Sequence, residues 1–223
     1  CGMHPVEGVR TITAELTADS LNVNKLLAKA DRMVANFDVK ATARFEDGVD
    51  AEASGTIRNL LFNGYNYSNI AFDGVYDKSG GALNLGSNDK NLKAQIRAAM
   101  TTPESGVPSY SAVANVKYAD LHALNINRRD SLSNIQASLF VDAYGRTLDD
   151  MNGRIRLDSL IMNAPDDKGY FLDNLTITSG PVAGGREIQI LSPFLTAVMR
   201  GKYSLETIPA SMLKVVQQYI PSL

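Results

Sequence analysis

Phe37, Val39, Ala41, Ala43 and Phe45 occupy every second position of one stretch, with Asp38, Lys40, Thr42, Arg44 and Glu46 between them. After a turn at Asp47-Gly48 the rhythm resumes as Val49, Ala51, Ala53, Gly55 and Ile57, against Asp50, Glu52, Ser54, Thr56 and Arg58. A period of two puts each set on its own side of a pleated strand, whereas a helix would scatter both sets around its circumference. Similar runs recur along the chain. They predict a long antiparallel sheet with one apolar face and one polar face.

The apolar face is built from small residues. Of the 223 residues 44% are hydrophobic, yet aromatics make up only 7% and Trp is absent, so Ala and Gly carry much of the pattern. Such a face packs shallowly or leaves open space, where an ordinary sandwich fills its middle with larger side chains. The 22 basic and 24 acidic residues give a net charge of −2, and the densest basic spot, Arg128-Arg129, is followed at once by Asp130. That balance argues against nucleic acid as a partner. Cys1 is the single cysteine, so no intrachain disulfide forms. This suits a reducing compartment or a large periplasmic sheet that needs no staple. No apolar run approaches the roughly 20 residues that span a bilayer. The chain also lacks a signal peptide and an initiator Met, which reads as a processed or excised piece. Cys1 is then either the lipidated first residue of a mature lipoprotein or a fragment boundary, and both readings stay open.

Along the chain, Val9 to Ala18 reads as a strand. Asp19 or Ser20 then caps a short expected helix with Leu21, Val23, Leu26, Leu27 and Ala30 on its apolar side. Hairpin signals follow at Asp47-Gly48, Asn63-Gly64, Ser79-Gly80-Gly81, Ser87-Asn88-Asp89, Pro103 to Pro108, Asn127 to Asp130, Ala143 to Asp150, Pro165 to Gly169, and Gly180 to Gly185. They imply about a dozen strands, more than most flat open sheets carry without curling. Near the end, Met212, Leu213, Val215, Val216, Tyr219 and Ile220 recur at helical spacing between Pro209 and Pro221. The expected organisation is a leading strand and short helix over 1–34, a repetitive antiparallel β trough over 35–205, and a C-terminal amphipathic helix over 206–223 closing one end.

Little in the chain is chemically reactive. His4 reads as part of a frayed terminus and His122 as a residue at a strand or turn edge, with no metal-ligand spacing around either. No nucleophile elbow, phosphate loop or dinucleotide fingerprint occurs, and Gly180 to Gly185 leads into a strand, so it is a hairpin connection. Asp149-Asp150 and Asp166-Asp167 flank turns, where carboxylates serve solubility and local hydrogen bonding, and the spacing of a calcium loop is missing. The tyrosines are spread along the strands instead of forming one stacking platform. No metal, cofactor or catalytic residue is expected, and the chain reads as non-enzymatic.

A degenerate repeat runs beneath the strands. Gly55-Thr-Ile57-Arg58 leads to Ser68-Asn69-Ile70, Ala114-Asn-Val116-Lys117 to Ser133-Asn134-Ile135, and Gly153-Arg-Ile155-Arg156 to Asp173-Asn174-Leu175. The asparagine is expected to turn the chain at a hairpin corner. Alongside it stand Asp19-Ser-Leu-Asn-Val-Asn-Lys-Leu-Leu27, Gly64-Tyr-Asn-Tyr-Ser-Asn-Ile70 leading into Phe72-Asp-Gly-Val-Tyr76, Leu191-Ser-Pro-Phe-Leu195 before Gly201-Lys-Tyr203, and the Gln-Tyr-Ile-Pro ending of Leu213 to Pro221. Taken together these spaced patterns, which cover most of the chain, resemble the large AsmA-like proteins of Gram-negative envelopes, especially the TamB (translocation and assembly module) group.

The resemblance implies an internal or C-terminal-side segment of a long periplasmic protein tethered to a membrane elsewhere, its sheet curled into an open trough of the β-taco kind. It implies that the segment shields or conducts phospholipid acyl chains between the inner and outer membranes and so supports outer-membrane biogenesis. Its partners would be those chains, neighbouring segments of the same polypeptide and, in the family, an Omp85-type barrel. This chain is short and lacks the terminal domain that usually carries the barrel contact. The expected groove lining is Val39, Ala41, Ala43, Ala51, Ala53, Ile57, Ile70, Phe72, Ala94, Ile96, Ala112, Ala114, Ala137, Leu139, Ile155, Leu157, Ile188 and Ile190. The competing reading is a surface or periplasmic lipoprotein module, anchored through Cys1 and binding protein or polysaccharide. That module would have a filled sandwich core.

Overall fold

A computed structural model describes residues 2–6, 9–22, 33–46, 48–104, 106–126, 134–147, 149–163, 169–202 and 204. The strands are β1 (Gly2–Val6), β2 (Val9–Asn22), β3 (Val34–Phe45), β4 (Val49–Phe62), β5 (Tyr65–Asp77), β6 (Gly80–Asn88), β7 (Leu92–Thr101), β8 (Ser109–Asp120), β9 (Asn134–Tyr144), β10 (Asn152–Asn163), β11 (Gly169–Val182), β12 (Gly185–Leu191) and β13 (Thr196–Gly201). They form one antiparallel sheet of thirteen strands whose spatial order is the chain order, a pure meander with β1 and β13 at its edges. The expected mainly-β, open architecture is what the chain adopts. No second sheet packs on the first among the described residues, because each strand's substantial contacts are with its sequence neighbours.

Register carries the two-faced pattern across the whole sheet. On one face a cross-strand row runs Ala14, Ala41, Ala53, Gly74, Leu83, Ala98, Ala112, Val141, Ile155, Ile177, Ile190 and Ala197, from β2 to β13. The adjacent row runs Leu16, Val39, Gly55, Phe72, Leu85, Ile96, Ala114, Leu139, Leu157 and Leu175. A row of the opposite face runs Glu15, Lys40, Ser54, Asp73, Asn84 and Arg97, and is interrupted by Val113 and Phe140 before Arg156. There Lys40 and Glu15 pair at 3.3 Å and the Asn84 amide donates to Asp73 at 2.7 Å. A one-residue slip anywhere would move a strand's apolar set into the polar row, so the alternation itself fixes the pairing.

Bulges interrupt the ladder in a band across the sheet. Register shifts fall between Ala18 and Leu21, between Asn36 and Phe37 opposite Arg58, between Lys93 and Ala94 opposite Lys117, between Val116 and Ala119, and between Asp158 and Ile161. Ser20, Asn69 and Ser159 take positive φ within this band. Each bulge adds local twist and bends its strand. On the polar side, Arg58 bonds the Asp19 carboxylate at 2.8 Å and faces Asp38 at 3.2 Å, spanning from β4 across β3 to β2.

Several expectations change. Asp19 to Asn22 belong to β2, and Leu21 pairs with Ala35, so these residues do not start a helix. Positions 23–32 of that expected helix lie outside the described residues, as does the whole C-terminal helix at 206–223. The sheet begins well before residue 35, because β1 and β2 pair with each other and with β3, and His4 sits in β1 opposite Thr11 instead of in a frayed end. Asn69 and Asn174 lie inside β5 and β11, and Asn134 starts β9, so the repeated asparagine does not mark hairpin corners. A further hairpin, through Ser192 to Leu195, joins β12 and β13.

One turn depends on glycine. Gly80 opens β6 at φ +148°, and a Cβ there would lie 1.9 Å from the Met100 carbonyl oxygen. Gly80→Ala therefore combines a disfavoured backbone with a backbone clash and is expected to cost about 2–4 kcal/mol. Urea denaturation checks this, and a loss below 0.5 kcal/mol, on the order of an ordinary surface change, contradicts it.

Candidate functional site

All eighteen residues expected to line a groove fall on one face. Val39, Phe72, Ile96, Ala114, Leu139 and Leu157 share a row, and Ala41, Ala53, Ala112, Ile155 and Ile190 share the next. Ala43, Ala51 and Ile188 lie in the row toward the β3–β4 turn, with Tyr76, Met100 and Tyr110 between them. Ile57, Ile70, Ala94 and Ala137 lie in the row toward the other end, continued by Val116. Ile70 and Ala94 are buried, Ile96 and Ile155 are exposed, and the others are half-buried.

Among the described residues no filled core lies beneath this face. Among the described residues the buried apolar side chains are Ala35, Ile70, Ala94, Ala119 and Leu124. Large apolar side chains on the same face stay open to solvent, including Ile12 at 42%, Leu16 at 57% and Leu83 at 42%. A recess of about 370 Å³ runs between Leu83, Ala98, Met100, Tyr110, Ala112 and Val141. Contiguous apolar surface on this scale marks a place where something binds. The polar face has recesses as well, one of about 630 Å³ among them, as expected for a twisted sheet whose two sides both curve.

One end of the apolar face is closed by polar chemistry that the sequence pattern did not reveal. Tyr65 and Tyr67 continue the apolar rows past the bulge, through the pairs Phe62 with Tyr65 and Leu60 with Tyr67, and their rings meet edge to face at 4.8 Å. The Tyr65 hydroxyl donates to Asp89 Oδ1 at 2.5 Å, and the Asn91 N–H reaches the same oxygen at 2.8 Å. Asp89 Oδ2 accepts from the Ser68 N–H at 2.9 Å and the Ser68 hydroxyl at 2.7 Å. Asp89 is only 1% exposed, and this network ties the β6–β7 turn to β5. Burial alone pushes the Asp89 carboxyl up, but the hydrogen bonds from Tyr65, Ser68 and Asn91 outweigh it and hold it below the usual range. Burial first, and the Asp89 carboxylate second, push Tyr65 up to about 12.

The turn after β8 completes this closure. Asn125 at φ +59° donates its amide to the Asn63 carbonyl at 3.0 Å, while the Asn63 amide donates to the Asn125 carbonyl at 3.2 Å. These reciprocal bonds bring residues 121–126 to the β4–β5 turn, past the intervening β6–β7 turn. Leu124 in this turn is 1% exposed, its N–H bonded to the Asp120 carbonyl at 3.0 Å. The sequence marked Asn63-Gly64 and Ser87-Asn88-Asp89 as turns, and a lone aspartate in such a turn is the signal that an Asx-type acceptor is present.

The remaining polar candidates are local. Asp150 accepts the Thr147 N–H at 2.6 Å and the Arg146 N–H at 2.9 Å, which folds the β9–β10 turn and holds its carboxyl below the usual range. His122 is exposed in the turn after β8. Asp166 and Asp167 lie outside the described residues. No group of three or more His, Cys, Asp or Glu side chains that could hold a metal ion occurs among the described residues. No helix among them is long and apolar enough to cross a membrane. Comparison with protein-family models, with curated proteins and with solved structures finds no match to this chain.

Proposed function

We propose that this chain is a non-enzymatic segment that shields or conducts phospholipid acyl chains along its apolar face, in the periplasm of a Gram-negative envelope, in support of outer-membrane biogenesis. The observation that carries the reading is the apolar row that runs from β2 to β13 with its neighbour from β2 to β11, unfilled by any second layer among the described residues. Moving one methylene from water onto such a surface is worth about 0.8 kcal/mol, so a two-chain lipid gains enough without any catalytic group. Small side chains suit the task because they leave depth for a hydrocarbon tail between Leu83 and Val141. The polar rows on the reverse side keep the sheet wetted. The competing lipoprotein module needs a packed sandwich interior, and the described residues form a single layer.

Photocrosslinking in cells tests the reading. A benzophenone side chain at Ala53 or Ala137, both in the apolar rows, is expected to capture lipid. The same group at Ser54 or Ser138, their neighbours on the polar face, is expected to capture none. Equal capture from both faces, or none from either, ends the proposal.

A further inference from the structure

We infer that the polar face holds a second binding site, for a neutral carbohydrate chain, in the recess that β7 to β11 form between Thr101, Ser109, Tyr144 and Thr178. The recess measures about 630 Å³, within the roughly 300–1,000 Å³ range of small-ligand sites. Its floor is a cross-strand row of Ser111, Asp142, Arg154 and Thr178. Beyond it the two neighbouring turns are joined, the Gly145 N–H donating to the Pro108 carbonyl at 3.0 Å and Arg146 Nε to the Gly106 carbonyl at 3.2 Å. Tyr144, 50% exposed, stands at the lip.

The charges in this recess are left open. Asp142 and Arg154 are direct cross-strand partners, yet neither side chain makes a hydrogen bond or ion pair with another described residue. Some other cross-strand pairs of opposite charge do join, as Lys40 does with Glu15 and Arg200 with Glu187, while Arg44 and its partner Asp50 do not. Side by side, a carboxylate that accepts from O–H groups and a guanidinium fork that donates to oxygens match the vicinal hydroxyls of a sugar. The half-exposed tyrosine ring offers a flat apolar surface to a pyranose, with a polar tip left in water.

The same chemistry rejects other ligands. One cation facing one anion gives no net attraction for phosphate or nucleic acid. The hydroxyl-lined floor is a poor place for an acyl chain. An extended peptide has nothing to pair with, because the backbone groups of β8 to β10 are spent on their neighbours in the ladder. This site is independent of the lipid reading and lies on the other face.

The test is calorimetric titration of the whole chain with maltohexaose and with chitohexaose. Binding of at least one of them is expected. Asp142→Ala, Arg154→Ala and Tyr144→Ala are each expected to weaken it roughly tenfold at an unchanged melting temperature. Should an alanine variant fold poorly, Asp142→Asn and Arg154→Lys keep the size of each side chain and are expected to show the same loss. Leu83→Asp on the apolar face is expected to leave sugar binding as it was, which separates this site from acyl-chain capture. The inference is overturned if neither sugar binds at about 10 mM, an affinity too weak to require a built site. It is equally overturned if affinity survives the substitutions, or if a sulfated glycan binds as well as the neutral ones.

Discussion

Asp89→Ala is expected to cost about 2–4 kcal/mol of folding free energy, because it leaves buried donors without an acceptor. Four hydrogen bonds end on this carboxylate, from Tyr65, Asn91 and twice from Ser68. Asp89→Asn is no remedy. Each carboxylate oxygen faces two donors, so an amide NH₂ in either orientation meets donors where an acceptor is needed. Urea denaturation of both variants is the measurement, and losses below about 0.5 kcal/mol for both would show the network to be ornamental.

The same network contributes to the pH dependence of the fold. Because the folded Asp89 carboxyl is held below its ordinary value, its stabilisation is fully present above the unfolded value of about 4. It is lost as pH falls through the folded one. Tyr65 works in the opposite sense. Its folded value, raised to about 12, stabilises the protein below the unfolded value of about 10, and that stability is lost as pH climbs toward 12. Asp89→Ala flattens the acid limb, and Tyr65→Phe flattens the alkaline one.

Leu83→Asp is expected to weaken lipid capture strongly while leaving the sheet intact. Leu83 borders the apolar recess and is 42% exposed, so a carboxylate there stays hydrated in the free protein and changes folding by less than about 1 kcal/mol. An acyl chain laid over it would strip that water, at a cost large enough to weaken binding by roughly tenfold or more. Titration with a pyrene-labelled phosphatidylcholine reads the effect. Gln95→Glu, which puts the same charge on the polar face opposite Gly86, serves as the control. If both variants bind lipid like the parent, the apolar rows are not the binding surface.

The sheet was legible because its signal is local. A strand such as Val34–Phe45 carries no second layer among the described residues to demand different side chains, so its alternation survives with Ala35 alone fully buried. The bulges were harder to see, and they explain why a helix is expected to start at Asp19 or Ser20, where β2 runs on to Asn22. An added residue in a period-two run makes neighbouring apolar positions fall three apart: Ala18 and Leu21, Ile57 and Leu60, Val116 and Ala119, Leu157 and Leu160. A spacing of three is also the step of an amphipathic helix, so Leu21 seemed to open one. The closed end was invisible for another reason. The bonds between Asn63 and Asn125 join residues 62 apart, and nothing in either local stretch announces its partner.

The meander has a mechanical corollary. Because every bonded pair of strands is also consecutive in the chain, no strand is a keystone on which distant ones depend. Cooperativity in such an array is short-ranged, passing only from hairpin to hairpin as in a one-dimensional zipper. Heat or denaturant then peels the margins first, while the middle, fastened near Asp89 and Leu124, opens last. Length becomes a free variable: hairpins could be gained or lost over evolutionary time with the reach of the molecule changing and its cross-section staying the same.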